Sequence, residues 1–190
     1  MKRTIIIILI IAAAVGLGYL YETALMILEK RSYPLNYEEF VEKYAVEYNV
    51  PREIIYSVIR TESSFRSNAE SHKGAVGLMQ ITPDTFDWLM TKTGESLDRG
   101  LLYDPNTNIK YGTYFLRYLF IEFGDFEDNW NLVFAAYNAG LNRVKSDWMR
   151  NPEYIQDGKI LYIPFPETRN YIEKVNSAIK IYRRLYFKDN

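Results

Sequence analysis

The chain has no cysteine and a single histidine, His72, among its 190 residues. The first absence excludes a disulfide, a thiol nucleophile, a thiolate-bound metal and a lipid-modified cysteine. The second leaves no histidine cluster to carry a metal, and His72 has no assigned role. A surplus of positive charge is also lacking: the net charge is −1, and beyond residue 31 it is −3, the opposite of the basic surplus of a nucleic-acid binder. Nucleic acid is therefore not expected as a partner. What the chain has in quantity is apolar and aromatic character, 48% and 16% of residues, with 17 tyrosines. That balance is that of a folded protein of one compact domain and not of a disordered chain.

Lys2 and Arg3 precede an uncharged, isoleucine-rich stretch from Thr4 to Tyr21. Its 18 residues approach the roughly 20 that a membrane-spanning helix needs. Cleavage at the small residues Ala12 to Ala14 would leave an apolar core only from Ile5 to Ile11, so the stretch reads as a retained anchor in preference to a removed signal peptide. A basic pair on the cytoplasmic side places the remainder outside the cytoplasm. Residues 1–31 are thus read as signal-anchor with connector, the connector running from Glu22 to Pro34, and 32–190 as the functional domain.

After Asn36 the pattern is helix upon helix, with no alternating strand pattern, and the fold class is all-α. Asn36 is expected to cap a helix over 37–48, with Phe40, Tyr44 and Tyr48 on one face. Pro51 opens the next helix, to about Thr61. Thr82-Pro83 and Asp104-Pro105 each combine a cap with a first-turn proline, and Gly124 closes the second of these helices. Asp128 caps a short apolar helix ended by Gly140, another runs from Leu141 to Met149, and the last spans 166–186 with Tyr171, Val175, Ala178 and Tyr182 at helical spacing. Residues 65–81 and 151–165 read as irregular.

Glu62 follows Ile55, Val58 and Ile59 on one helical stripe, close to a helix C-terminus. Burial and the negative end of the helix dipole both disfavour a carboxylate and raise its pKa, which suits a group that protonates a glycosidic oxygen near neutral pH. Periodicity alone leaves open that the helix has already ended and that Glu62 lies in water or pairs with Arg60 or Arg66.

Three ordered segments bear on this choice: Glu62-Ser63-Ser64-Phe65, Gly74-Ala75-Val76-Gly77-Leu78-Met79-Gln80, and Phe134-Ala135-Ala136-Tyr137-Asn138-Ala139-Gly140. With Ser71 and Glu167-Thr168-Arg169-Asn170-Tyr171 they resemble the lytic transglycosylase domain, over about residues 37–185. The resemblance implies a lysozyme-like helical domain that cleaves the glycan strands of peptidoglycan between N-acetylmuramic acid and N-acetylglucosamine. It implies Glu62 as sole acid/base and, as substrate-binding residues, Ser71, Met79, Gln80, Tyr137, Asn138 and Glu167. Ser71 and Gln80 match polar groups beside the cleaved bond, Tyr137 a hydroxyl close to the acid, and Glu167 a further acid. Several of these also have structural readings: a turn for Ser71, the backbone of the glycine loop for Gln80, core for Met79, a helix end for Tyr137 and Asn138. Neither metal nor cofactor is implied. Most glycosidases use two carboxylates, whereas here Glu62 would serve first as acid and then as base, producing a 1,6-anhydro end. Glu70, Asp84 and Asp87 are expected in solvent or capping roles. The expected partners are peptidoglycan, the membrane through the N-terminal helix, and a cell-wall assembly or division complex. A hydrolytic muramidase and a non-catalytic tethered wall-binding module are the competing readings.

Overall fold

A computed structural model describes residues 2–124, 126 and 129–187, without the side chains of residues 2, 3 and 8–10. The chain divides into two units, residues 1–34 and 35–190. The first is one helix, α1 (Lys2–Ser32), of which Thr4–Ser32 is long and apolar enough to cross a membrane. It runs 11 residues past Tyr21, through the segment expected as a connector. Residues 22–32 contain no proline or glycine, and Pro34 is the first breaker after them.

The second unit is helical, as expected. Its elements are α2 (Glu38–Tyr48), α3 (Arg52–Ser63), α4 (Pro83–Thr93), a 3₁₀ turn (Arg99–Tyr103), α5 (Pro105–Phe123), α6 (Asn129–Ala139), α7 (Leu141–Arg143) continued by a π turn (Val144–Trp148), a hairpin of β1 (Ile155–Gln156) with β2 (Lys159–Ile160), and α8 (Pro166–Tyr186). Two expected caps form: Thr82 Oγ1 accepts from the Thr85 amide at 3.2 Å, and Asp104 Oδ2 from the Thr107 amide at 2.8 Å. Asn36 does not cap α2; Tyr37 holds that position in the left-handed region with no side-chain bond. The expected cap at Asp128 lies outside the described residues.

The hairpin is a correction to the reading of 151–165 as irregular. Its turn residues Asp157 and Gly158 both have positive φ, 51° and 75°, the Asp-Gly pair that a tight primed turn requires. Two paired residues per strand are too few to show alternation.

Within this unit α3 packs along α8, α2 against α5, α5 against α6 and α6 against α8. The expected α8 stripe of Tyr171, Val175, Ala178 and Tyr182 is buried throughout. In α5 the core face is Ile109, Gly112, Leu116 and Leu119, whereas Phe115 and Tyr118 are only half-buried and turn toward a groove. Tyr56 of α3 stacks on Tyr182 of α8, ring centroids 5.4 Å apart, and fixes the two helices that carry Glu62 and Tyr171.

Candidate active site

Glu62 occupies the last turn of α3. The helix continues to Ser63, two residues beyond the end expected from sequence, so Glu62 keeps its helical direction below the fully buried Ile55, Val58 and Ile59. The chain then reverses: Ser64 and Phe65 both have positive φ, 51° and 65°. Two such residues in succession cost conformational energy that the surrounding packing must offset, here through the Phe65 ring against Tyr56 at 6.4 Å. The chain turns there into the loop that follows.

Burial pushes the Glu62 pKa up to about 7, opposed by the Tyr171 hydroxyl, which favours the charged form. That hydroxyl is buried and has no well-formed hydrogen bond, and its interaction with the carboxyl is chiefly electrostatic. Tyr137 completes the group. Burial, and then the nearby Glu62 charge, raise the pKa values of both tyrosines well above the usual range. Both therefore stay as neutral phenols able to donate a proton in a hydrogen bond.

The glycine loop is built to hold this arrangement. Ser71 Oγ accepts from the Ala75 amide at 3.0 Å while the Gly74 amide donates to the Ser71 carbonyl at 2.9 Å, closing a tight turn. Gln80 Nε2 donates to the carbonyls of Ala69 (3.1 Å) and Gly77 (2.9 Å). Gly77 has φ +81°, and a Cβ there would stand 2.6 Å from the Leu102 carbonyl oxygen and overlap Asn108. Met79 is fully buried with its side chain on Gly112, so it does not reach the groove as a substrate contact. Its contribution is a carbonyl, which accepts from the Tyr137 hydroxyl at 2.8 Å. Asn138 Oδ1 accepts from Thr168 Oγ1 at 2.8 Å, joining α6 to α8. Glu167 is exposed at the start of α8, with Lys73 of the loop 3.7 Å away. Among the expected residues, then, Glu62 and Tyr137 converge. Ser71 and Gln80 hold the glycine loop, Asn138 joins α6 to α8, and Glu167 is exposed at the start of α8.

Sequence reading passed over two contributors. Asn108 of α5 is fully buried; it accepts from the Met79 amide at 2.7 Å and donates to the carbonyls of Val76 (2.9 Å) and Leu102 (2.8 Å). One side chain thus pins both sides of the glycine loop. Its signal would have been a polar residue in register with Ile109, Gly112 and Leu116. Tyr171 was legible only as a core position, although it sits in the Glu167–Tyr171 element.

The three alternative carboxylates are engaged elsewhere. Asp87 and Asp84 are paired with Arg99, and Glu70 accepts from the Tyr103 hydroxyl at 3.2 Å. Among the described residues no group of three or more His, Asp or Glu could hold a metal ion. The site as built can deliver one proton from a desolvated carboxylic acid and take one back, with two phenols around it.

Residues 39–158 match the model of the transglycosylase SLT domain. The chain is 36% identical over 163 residues to the soluble lytic murein transglycosylase of Escherichia coli, covering 82% of this chain and 24% of that protein. It is 32% identical to the membrane-bound lytic murein transglycosylase C of Serratia proteamaculans, covering 89% of this chain and 53% of that protein. The chain therefore spans about a quarter of the length of the soluble relative and about half of the membrane-bound one. The crystal structure of the 70 kDa soluble lytic transglycosylase of Escherichia coli superposes with a TM-score of 0.71 at 32% identity, over 82% of this chain and 25% of that one. An inactive glutamate-to-glutamine mutant of a Pseudomonas aeruginosa lytic transglycosylase superposes at 0.69 with 30% identity, over 83% and 25%. With its helical fold, its motifs and these likenesses in agreement, the chain belongs to the lytic transglycosylase family.

Proposed function

We propose that this chain is a peptidoglycan lytic transglycosylase in which Glu62 is the sole acid/base. The observation that carries the reading is a half-buried glutamic acid poised near neutral pH, flanked by two neutral phenols, while the nearby carboxylates of Glu70, Asp84 and Asp87 have partners of their own. As acid, Glu62 protonates the oxygen that links muramic acid to the following glucosamine, and the C1–O bond breaks. The carboxylate so formed is stabilised by Tyr171. As base it removes the proton of the muramic acid C6 hydroxyl, whose oxygen closes on C1. The product is a 1,6-anhydro end, and the proton is back on Glu62. Most hydrolases of this bond class use a second carboxylate as nucleophile or to activate water. The inactivity of the Pseudomonas glutamine mutant is consistent with a proton-carrying glutamate in that relative.

We also propose that α1 anchors the protein in the membrane with the second unit outside the cytoplasm, and that Ser71, Gln80, Tyr137, Asn138 and Glu167 surround the bound sugar. Digestion of purified sacculi followed by mass spectrometry of the released muropeptides tests the reaction. Anhydro ends are expected, reducing ends would assign a muramidase, and binding without release of fragments would assign a wall-binding module.

Tyr171→Phe tests the proton balance. Removing a donor to the charged form raises the Glu62 pKa, so the alkaline limb of kcat/KM against pH is expected to move to higher pH as kcat falls. A limb at the wild-type position would show that Tyr171 is merely packing.

A further inference from the structure

A groove of about 680 Å³ opens between α2, the start of α3, α5 and the first turn of α6. Helical spacing sets it apart from the candidate acid. Arg117 and Phe120 line it from α5, whereas Phe115 and Tyr118, which turn toward the groove beside Tyr137, lie on the opposite side of that helix at about 100° per residue. Its contact with α3 is through Arg52 and Glu53, and Glu53 stands about 14 Å of helix rise from Glu62. The floor is a pair of half-buried rings, Phe120 and Trp130, with centroids 4.7 Å apart. Beside them α2 offers Val46, an apolar side chain that the fold leaves 81% exposed. The rim is polar and already ordered. Arg52 Nη1 donates to Glu42 Oε1 at 2.6 Å, Arg183 Nε donates to Glu53 Oε1 at 3.1 Å, and the Arg117 guanidinium carbon lies 5.6 Å from the centre of Phe120. The lining thus carries the carboxylates of Glu42 and Glu53 and the guanidinium groups of Arg52 and Arg117, which sum to zero charge.

We propose that this groove is a second glycan-binding site, which holds an uncharged stretch of N-acetylated sugar chain while Glu62 acts on another. The proposal rests on the peptidoglycan reading above. Charge balance argues for an uncharged ligand, since neither an acidic nor a basic polymer gains from a groove of zero net charge. The two rings supply a flat apolar surface for the C–H face of a pyranose. The carboxylates and guanidinium groups around them, with the exposed amide of Asn49, supply acceptors and donors for hydroxyl and N-acetyl groups. A protein partner fits less well, because the centre of a protein interface is depleted of glutamate, and here two glutamates border the rings. A second hold on an insoluble polymer raises the effective concentration of strand at Glu62, an advantage that vanishes on short soluble substrates.

The test uses the ¹⁵N-labelled full chain carrying Glu62→Gln, in detergent micelles, titrated with the tetramer of N-acetylglucosamine. The chain has three tryptophans, so Trp88, Trp130 and Trp148 give three indole N–H signals. The Trp130 signal should shift and saturate. Val46→Arg sets a long charged side chain into the groove from an exposed position that the core does not use. It should raise the dissociation constant read at Trp130 at least about tenfold and leave the titration read at Trp88 unchanged. With Glu62 intact, Val46→Arg should lower fragment release from insoluble sacculi about threefold or more and leave turnover of short soluble strands within a factor of about two. A Trp130 signal that stays in place, one that shifts equally in the Val46→Arg protein, or equal release from sacculi by the two proteins would overturn the site. So would self-association in sedimentation that Val46→Arg abolishes, which would make this face a contact between two copies of the chain. Absence of anhydro ends would count against the proposed reaction alone, because the titration is read without turnover.

Discussion

Replacing Glu62 by Gln is expected to lower turnover of purified peptidoglycan by about a thousandfold or more while leaving binding of glycan strands near the wild-type level. The amide keeps the shape of the side chain and removes the one proton the site can transfer. Among the described residues the alternative carboxylates are engaged elsewhere, Asp84 and Asp87 by Arg99 and Glu70 by Tyr103. The same substitution should make the protein more stable above neutral pH. In the folded state the Glu62 pKa is about 7, above the ordinary 4.5, so the folded protein binds more protons than the unfolded chain between these values. Stability contributed by this residue therefore falls as pH rises from about 4.5 to 7, and above that the desolvated charge costs about 3 kcal/mol. Thermal melts at pH 8 should show the glutamine protein ahead of the wild type, and melts near pH 4 should show the two together. A variant as active as the wild type in a lysis assay would remove Glu62 from the chemistry.

The second large effect is expected at Asn108, which touches no substrate in the proposed arrangement. Asn108→Ala leaves the Met79 amide and the Val76 and Leu102 carbonyls without their partner in a buried place. Stranding buried polar groups of this kind costs about 2–4 kcal/mol in total, or roughly 6–12 °C in melting temperature for a domain of this size. The loss should also reach the site. The segment that Asn108 pins includes the Met79 carbonyl that receives the Tyr137 hydroxyl, so a loosened loop releases Tyr137 from its position beside Glu62. We expect kcat to fall at least tenfold at temperatures where circular dichroism still reports a folded protein. Full activity in the folded variant would mean that the loop holds its shape without this residue.

Both predictions bear on how much of the molecule was legible in its sequence. Helix identity was, because the apolar stripes of α3 and α8 and the caps at Thr82 and Asp104 are local signals that tertiary structure did not override. The apolar row leading to Glu62 placed the acid on the correct face. Its alternatives were settled only by three-dimensional facts: α3 runs on to Ser63, and Ser64 and Phe65 then turn in the left-handed region. Such a turn has no composition signal when neither residue is glycine. The hairpin at Asp157-Gly158 carried a recognisable turn pair, but its strands are too short for any period to register.

The site was legible mainly through its ordered motifs. These marked positions without telling which atoms act. Met79 belongs to a motif yet contributes only backbone, and Gln80 spends its amide on the loop. Asn108 lies outside every motif and holds the loop together, because a polar side chain on a helix reads as solvent-facing until the carbonyls around it are known. Tyr171 was counted as core for the same reason. Its ring is core, and its hydroxyl meets the one carboxyl that the site depends on.

That carboxyl is the central claim, and its titration tests it most directly. With ¹³C-labelled glutamate, the side-chain carboxyl resonance of Glu62, assigned by its absence in the Glu62→Gln protein, should titrate with a midpoint near pH 7 in the folded full chain. A midpoint in the ordinary range near 4.5 would contradict a desolvated acid held protonated for transfer, and with it the single-acid mechanism.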